Sequence, residues 1–271
     1  MLKAQMSNVK TIIQNSNLII NPEKEGEDII IFIRKIFKET GFGKTVIGLS
    51  GGIDSATAAF LAVKGLGRDN VITVMLPYGE GQNEEVKDAR STADKLEIPR
   101  ENVIETDIEP LCRPYLNIIK NADRLRRGNA TVRMRMLILF DLAKKYRALV
   151  MGTENKSEYI FGYFTRFGDE ASDIEPIRHL YKTQVRQLGE YLNLPRKIIE
   201  KEPTAGLWKG QSDEGELGFT YKEADEILFL LIDRGLSKME IIEKGYKSET
   251  VEKVLLRIKQ NEFKHRLPYE L

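Results

Sequence analysis

Cysteine and histidine are scarce in this sequence. Its 271 residues include one cysteine, Cys112, and two histidines, His179 and His265, which lie far apart along the chain. A single cysteine excludes an intrachain disulfide and any zinc or iron–sulfur site built from a cysteine cluster. Chains without disulfides are typical of reducing compartments, so we expect a cytoplasmic location.

Long hydrophobic runs and a charge excess are also missing. Apolar stretches such as Ile29–Ile33 and Ile227–Ile232 are far shorter than the roughly 18 residues of a membrane-spanning helix. The first ten residues lack the charged-then-apolar pattern of a secretion signal. Lys+Arg number 42 against 41 Asp+Glu, so the chain has no basic excess of the kind that duplex binders carry. We therefore predict neither a membrane nor a nucleic acid as a partner.

Short apolar runs alternate with helical patterns, which is typical of an α/β protein with a parallel sheet. The expected strands are Val46–Leu49, Val71–Met75, Val103–Thr106 and Ala148–Met151. The expected helices are Asp28–Phe37, Ser55–Val63, Asn83–Glu97, Ala130–Tyr146 and Thr183–Leu192, with two or three more at the C-terminus. We predict a doubly wound, mostly parallel sheet with flanking and C-terminal helices, in a single domain over residues 1–271. Residues 153–181 are expected to form loops with short elements, and residues 203–218 a mobile, glycine-rich segment.

The most specific motif is Gly48-Leu-Ser-Gly-Gly-Ile-Asp-Ser55, between the first strand and the following helix. Gly51 and Gly52 let the backbone approach an anion closely, and the N–H groups of a helix start favour anion binding. Ser50 adds a hydroxyl donor. Asp54 would repel a phosphate unless a cation lay between them, so it is a candidate Mg²⁺ ligand. The alternative is a plain turn in which Asp54 caps the helix.

A second glycine-rich segment, Gly41-Phe-Gly-Lys-Thr45, superficially resembles the end of a Walker A loop. That motif requires a glycine where this chain has Lys38, and a helix after the Lys-Thr pair. A strand pattern follows instead. We therefore exclude a Walker A site at this position.

The string Gly48–Ser55 resembles the pyrophosphate-binding loop of the ATP pyrophosphatases, the PP-loop enzymes. Further motifs follow the fourth strand in order: Gly152–Glu158, Gly162–Asp169, Asp173–Pro176, Tyr181–Val185, Pro203–Ala205 and Gly210–Gly218. The ordered set, from about residue 20 onward, is similar to the ammonia-dependent NAD synthetases. That resemblance implies an adenine nucleotide alpha hydrolase-like fold and a homodimer. It also implies a reaction in which deamido-NAD, ATP and ammonia give NAD, AMP and pyrophosphate through an adenylated intermediate.

The same resemblance implies roles for individual residues. ATP would be bound by Gly48, Leu49, Ser50, Gly51, Gly52, Ile53, Asp54, Ser55, Thr153, Lys182 and Thr204. Deamido-NAD would contact Arg133, Arg166, Asp173 and Lys264. Mg²⁺ would be held by Asp54 and Glu158. The residues expected near the chemistry are Asp54, Lys182, Asp169 and Asp173.

The positions of three of these residues also indicate ligand binding on physical grounds alone. Asp54 and Glu158 each follow the carboxyl end of a predicted strand, the edge where open α/β sheets bind ligands. Two carboxylates there suit Mg²⁺, which takes one or two carboxylates together with substrate phosphates. Lys182 lies beside a predicted helix start, where the helix dipole disfavours a cation. A bound anion at that position would remove the conflict, whereas a solvated surface position is the alternative for both Glu158 and Lys182.

The sequence departs from the family pattern at several positions. Arg166 stands where a lysine is usual, Glu170-Ala171 replaces Gly-Gly, Gly206 replaces Asp, and Phe263 replaces His. These changes affect the expected dinucleotide contacts more than the adenylation motif. Cys112 lacks the context of a glutaminase nucleophile, so we expect no glutaminase domain and free ammonia as the nitrogen donor. Another PP-loop enzyme and a nucleotide-binding sensor module remain the alternatives.

Overall fold

The computed structural model describes residues 18–79, 83–208, 210–266 and 268–269. Within them, one parallel sheet consists of β1 (Lys44–Gly48), β2 (Val71–Met75), β3 (Val103–Glu105) and β4 (Ala148–Met151). The strand order is β3-β2-β1-β4. The chain moves outward from β1 to β3 and then crosses to the other side of β1, so the order reverses between β1 and β4. Ligands bind at such a switch point, beyond the carboxyl ends of the strands.

Helices flank both faces of the sheet and then form the C-terminal part. In chain order they are α1 (Pro22–Thr40), α2 (Ile53–Leu66), α3 (Asn83–Lys95), α4 (Glu109–Ile118), α5 (Arg124–Tyr146), α6 (Lys156–Phe161), α7 (Lys182–Tyr191), α8 (Arg196–Ile199), α9 (Asp213–Leu217), α10 (Tyr221–Leu228), α11 (Lys238–Glu243) and α12 (Ser248–Asn261). A π-helical turn, Phe229–Asp233, continues α10. Among the described residues, none of the helices is both long and apolar enough to cross a membrane.

Side chains alternate between the two faces of the sheet, as the strand pleat requires. In β1, Ile47 lies in the cluster that contains Ile33 of α1 and Leu61 of α2. Its neighbour Val46 lies in the opposite cluster, with Cys112 of α4 and residues of α5. Both faces are therefore covered by helices, which confirms the predicted doubly wound sheet.

A third cluster holds the C-terminal helices together and fixes the two short helices beside the sheet edge. Its buried members include Phe161 of α6, Tyr181 immediately before α7, and Tyr221 of α10. Because α6 and the residue immediately before α7 belong to this cluster, the first residues of both helices are held near the carboxyl ends of β1 and β4.

Several helix boundaries differ from the sequence expectations. The first helix begins at Pro22 rather than Asp28, because the side chain of Asn21 accepts a hydrogen bond from the Lys24 N–H at 3.2 Å. The prediction that α5 begins at Ala130 was wrong in the same way: Asp123 caps the helix through the Arg126 N–H at 2.7 Å. Such caps stabilise a helix start even where the apolar periodicity has not begun.

The segment 203–218, predicted to be mobile, contains the short helix α9. Two of its residues, Asp213 and Leu217, are buried. The side chain of Ser212 caps α9 by accepting a hydrogen bond from the Gly215 N–H at 3.2 Å. The C-terminal half of this segment is therefore packed against the rest of the protein, although its composition indicated a loop.

Candidate active site

The glycine-rich loop joins β1 to α2 at the switch point of the sheet. Gly51 has a φ of 76°, and a Cβ added there would lie 2.4 Å from the Glu85 carbonyl oxygen. Only glycine fits this position. Gly52 precedes α2 and offers no side chain to cap it, so the positive end of the helix faces the loop. Ser50 and Ser55 brace the loop through a hydrogen bond between their hydroxyls at 3.0 Å. This arrangement suits an anion.

Lys182 lies between two carboxylates beside that loop. Its Nζ is 2.5 Å from Asp54 Oδ2 and 3.1 Å from Glu158 Oε1. The three residues come from the starts of α2, α6 and α7, and the side chain of Lys182 is 4% exposed. The convergence expected at this sheet edge is therefore present in the structure, and none of the three side chains is a solvated surface group.

Burial and charge oppose each other in this cluster. Burial alone would lower the pKa of Lys182, but Asp54 and Glu158 outweigh it and hold that pKa above its usual range. Burial raises the pKa of Glu158 to about 8, although Lys182 opposes this rise. A further positive charge at the carboxylates would stabilise the ionised form of Glu158.

The donor set of Asp54 and Glu158 fits Mg²⁺. Both ligands are hard carboxylate oxygens, and Asn155 Nδ2 orients Asp54 by donating to its Oδ1 at 2.9 Å. Within the described ranges, no group of three or more His, Cys, Asp or Glu residues is placed to hold a metal ion. An ion at these two carboxylates would need substrate oxygens to complete its coordination, as Mg²⁺ in phosphate sites commonly does.

The two threonines expected to contact ATP have different surroundings. Thr153 is the second residue after the end of β4 and is partly buried. Thr204 is exposed, and its hydroxyl donates to the Gln211 carbonyl at 2.9 Å and accepts from the Gly206 N–H at 3.0 Å. The Thr204 hydroxyl is thus used inside its own loop, and its contact with ATP stays a prediction.

Three residues expected to bind the dinucleotide are linked to one another through the segment 162–167. Arg133 Nε donates to the Arg166 carbonyl at 3.2 Å. Lys264 Nζ donates to the carbonyls of Gly162 and Phe164 at 2.6 and 2.8 Å. The Arg166 guanidinium lies 5.3 Å from the ring centre of Phe263, the residue that departs from the family pattern. A cation–π contact with Phe263 therefore supports Arg166 at this end of the site.

Asp169 and Asp173 were expected near the reacting groups, and the structure gives both carboxylates backbone partners. Asp169 Oδ1 accepts from the Thr165 N–H at 2.7 Å. Asp173 Oδ2 accepts from the Val150 N–H in β4, also at 2.7 Å. Both residues are nevertheless exposed, so each carboxylate combines one backbone hydrogen bond with contact to solvent. Each carboxylate anchors a chain segment at the edge of the sheet.

Sequence reasoning missed a buried acidic pair beside β4. Glu154 and Glu175 share the guanidinium of Arg178, whose Nη2 is 2.9 and 3.1 Å from their carboxylate oxygens. Burial raises the pKa of Glu154 to about 9 and that of Glu175 to about 7. Glu175 fills the space beside Gly152, where an added Cβ would lie 1.9 Å from its Oε1. No local sequence pattern brings these distant residues together.

The helix segment 203–218 contributes another buried carboxylate that sequence reasoning missed. Asp213 is 3% exposed, and its Oδ2 accepts a hydrogen bond from the Tyr221 hydroxyl at 3.3 Å. Burial raises its pKa, while Lys182 acts in the opposite direction. Asp213 thus places the packed end of this segment within the electrostatic range of the Lys182 cluster.

Comparisons with known proteins agree on one family. The model of the NAD synthase family matches residues 25–268. The curated NH(3)-dependent NAD(+) synthetase of Fusobacterium nucleatum subsp. nucleatum is 40% identical over 253 residues, covering 93% of this chain and 97% of the relative. A structure of the NH3-dependent NAD synthetase from Campylobacter jejuni, in complex with nitrate, has a TM-score of 0.79 at 28% identity, covering 93% of this chain and 100% of that chain. A structure of NMN synthetase from Francisella tularensis has a TM-score of 0.83 at 33% identity, with coverage of 93% and 99%.

Proposed function

The chain belongs to the NAD synthase family, and on that premise we propose how its site carries out the reaction. It is an enzyme, a ligase that forms a C–N bond in the ATP-dependent amidation of deamido-NAD with ammonia. Its fold places the glycine-rich loop and the Lys182 cluster at one sheet edge, and this juxtaposition carries the assignment of the ATP site. In the proposed mechanism the chain acts as a single synthetase domain, and it activates the nicotinate carboxylate of deamido-NAD by adenylation.

The nicotinate carboxylate of deamido-NAD is a poor electrophile, because its leaving group would be an oxide ion. Attack of this carboxylate on the α-phosphorus of ATP makes a mixed anhydride with AMP and releases pyrophosphate. The loop around Gly51 and the ammonium of Lys182 would stabilise the charge that develops on the departing pyrophosphate. Mg²⁺ held by Asp54 and Glu158 would supply further positive charge at the phosphate oxygens.

Ammonia then attacks the adenylated carbonyl carbon, and AMP leaves with the original carboxylate oxygen. Because ATP supplies the activation and ammonia is the nucleophile, catalysis consists of positioning and electrostatic stabilisation. No side-chain nucleophile is required. Cys112, the single cysteine of the chain, lies in the core on the α4–α5 side of the sheet, and burial raises the pKa of its thiol. It is placed for packing rather than for chemistry.

The dinucleotide would be bound by Arg133, Arg166, Asp173 and Lys264. Arg133 is exposed, and a guanidinium suits phosphate oxygens. Lys264 acts mainly by fixing the carbonyls of the 162–164 segment. In this proposal Arg166, whose guanidinium lies 5.3 Å from the ring centre of Phe263, contacts the dinucleotide at the position where a lysine is usual.

A second candidate product follows from the likeness to the Francisella structure, which is named an NMN synthetase. Amidation of the nicotinate mononucleotide would use the same adenylation chemistry on a substrate that lacks the adenylate half. The curated relative is named for NAD, so we take deamido-NAD as the principal substrate. Measured kcat/KM values for the mononucleotide and the dinucleotide decide between the two.

We also propose that the chain works as a cytoplasmic homodimer. Apolar side chains of α4 and α5 are exposed although they are large: Leu111, Tyr115, Ile118, Leu125 and Leu137. An exposed apolar surface of this kind commonly marks a protein–protein interface. A reducing cytoplasm would preserve the free thiol of Cys112. Sedimentation equilibrium of the purified chain tests the dimer.

The reaction is tested by incubating the purified chain with ATP, Mg²⁺, ammonium and each candidate carboxylate. We expect NAD, AMP and pyrophosphate from deamido-NAD, and no amidation of XMP, the substrate of another PP-loop enzyme. The variant Asp54→Asn should lose pyrophosphate release while it keeps its fold, because the neutral amide is a weak Mg²⁺ ligand. Near-normal turnover by this variant would refute the metal role of Asp54.

A further inference from the structure

The carboxylate of Asp225 connects the two short helices that carry Glu158 and Lys182. Asp225 lies on α10 and is completely buried. Its Oδ1 accepts a hydrogen bond from the Ser157 hydroxyl at 2.5 Å, and its Oδ2 accepts one from the Thr183 N–H at 2.8 Å. Ser157 immediately precedes Glu158 on α6, and Thr183 immediately follows Lys182 on α7.

Ser157 continues this connection to Lys182 itself. The Ser157 Oγ accepts a hydrogen bond from the Lys182 backbone N–H at 2.9 Å. The first two N–H groups of α7 are therefore satisfied by Ser157 and Asp225, residues of two other helices. Such N–H groups are otherwise left without partners at a helix start.

The same contacts resolve the electrostatic conflict that the sequence shows at Lys182. A cation at a helix N-terminus is unfavourable, whereas a carboxylate there is favourable. The buried carboxylate of Asp225 provides the negative charge at the start of α7, so the Lys182 side chain remains available for the site. Burial nevertheless raises the pKa of Asp225 to about 6. Keeping the charge of Asp225 in the interior lowers the stability of the fold. A functional gain at the ATP site would explain why this buried charge is present.

Building on the function proposed above, we propose that Asp225 is a positioning residue for ATP. Its hydrogen bonds to Ser157 and Thr183 set the separation of α6 and α7 and thereby the approach of Lys182 to Glu158. It acts through these neighbours and not by contact with the nucleotide. Loss of the carboxylate should weaken ATP binding more than binding of the dinucleotide, whose expected ligands lie on other segments.

Asp225 also belongs to a helix of the C-terminal core, so a purely structural role needs a matched control. Glu226, the next residue of α10, is also buried, and its Oε2 accepts a hydrogen bond from the Tyr246 hydroxyl at 2.8 Å. The variant Glu226→Gln removes a buried charge from the same helix, and the hydrogen bond of its carboxylate goes to Tyr246 rather than to α6 or α7. It reports what such a loss does to stability alone.

The experiment compares Asp225→Asn, Ser157→Ala and Glu226→Gln with the wild-type chain. The dissociation constant of ATP is measured calorimetrically in Mg²⁺ buffer, together with KM for ATP and for deamido-NAD and the unfolding midpoint. We expect the first two variants to raise the ATP dissociation constant and KM about tenfold or more, the scale of one charge-assisted hydrogen bond. KM for deamido-NAD should change less than twofold, and Glu226→Gln should leave both KM values unchanged.

In the double variant Ser157→Ala/Asp225→Asn, the dissociation constant of ATP should be at most about twofold higher than in whichever single variant binds ATP more weakly. The reason is that the two residues act through one connection. ATP affinity within twofold of wild type in folded Asp225→Asn or Ser157→Ala would overturn the positioning role, as would equal rises in both KM values. If Asp225→Asn does not fold, Ser157→Ala decides by the same criteria. A wild-type chain that binds ATP but does not amidate deamido-NAD would refute the proposed function, whereas the affinity comparison would still test Asp225.

Discussion

Replacing Lys182 with methionine is the most informative perturbation of the site. Methionine keeps an unbranched side chain of similar length but removes the ammonium that lies 2.5 Å from Asp54 Oδ2 and 3.1 Å from Glu158 Oε1. The Asp54 carboxylate, 15% exposed, then loses its nearest cation. Breaking a buried pair in this way commonly costs about 3–5 kcal/mol of unfolding free energy.

In the Lys182→Met variant, protonation of the unpaired Asp54 carboxyl limits the loss of unfolding free energy, and this limit depends on pH. Each pH unit above the ordinary aspartate pKa of about 3.9 adds about 1.4 kcal/mol to the cost of keeping the carboxyl neutral. The limit is therefore about 5–6 kcal/mol at pH 8 and about 1.5 kcal/mol at pH 5. We expect Lys182→Met to lose about 3–5 kcal/mol at pH 8 and no more than about 1.5 kcal/mol at pH 5. Added Mg²⁺ should restore part of the loss at pH 8.

Urea unfolding of the variant and the wild-type chain at both pH values measures these differences. Lys156→Met is the matched control, since Lys156 begins α6 and pairs with Asp233 at 2.7 Å in a partly exposed position. Removal of such a pair should cost less than about 1 kcal/mol at either pH. A loss below about 1 kcal/mol for Lys182→Met at pH 8, or an equal loss at pH 5 and pH 8, would refute the electrostatic reasoning.

Two further substitutions test other parts of the site. Gly51→Ala should abolish ATP binding, measured calorimetrically, because its methyl group would meet the Glu85 carbonyl; Gly67→Ala, at a similar φ of 84° but with nothing within 4 Å, should bind ATP normally. Glu154→Gln tests the buried acidic pair. Burial raises the pKa of Glu154 to about 9, so between about pH 4.3 and about pH 9 the folded chain keeps a proton that the unfolded chain releases. The stability of the wild-type chain therefore falls as pH rises through this window. The variant should lose less stability than the wild-type chain between pH 6 and pH 9 in urea unfolding, and an unchanged slope would contradict the assignment.

The fold could be predicted because its signals are local. Buried parallel strands form short apolar runs, and the helices between them show apolar periodicity. The position of the glycine-rich string could also be predicted, because a strand before it and a helix after it place it in the connecting loop at the edge of the sheet. The placement of Asp54 and Glu158 at the sheet edge follows from their positions after β1 and β4.

The contacts between distant segments could not be predicted from the sequence. Lys182 is neutralised by carboxylates of α2 and α6, whereas the sequence suggested a bound anion or a solvated surface position. Asp225 reaches the start of α7 from a helix that lies far along the chain, and no motif marks it. Asp173 carries a family resemblance, yet its bond to the Val150 N–H depends on the register of a neighbouring strand. Such contacts are decided by packing, which residue spacing does not specify.

The route of one oxygen atom tests the adenylation account most directly. Deamido-NAD labelled with ¹⁸O in both oxygens of its nicotinate carboxylate is converted with ATP, Mg²⁺ and ammonium, and the products are examined by mass spectrometry. Adenylation of the carboxylate predicts one ¹⁸O in the phosphate of each AMP and none in pyrophosphate. Unlabelled AMP, or label in inorganic phosphate with ADP as the other product, would contradict it.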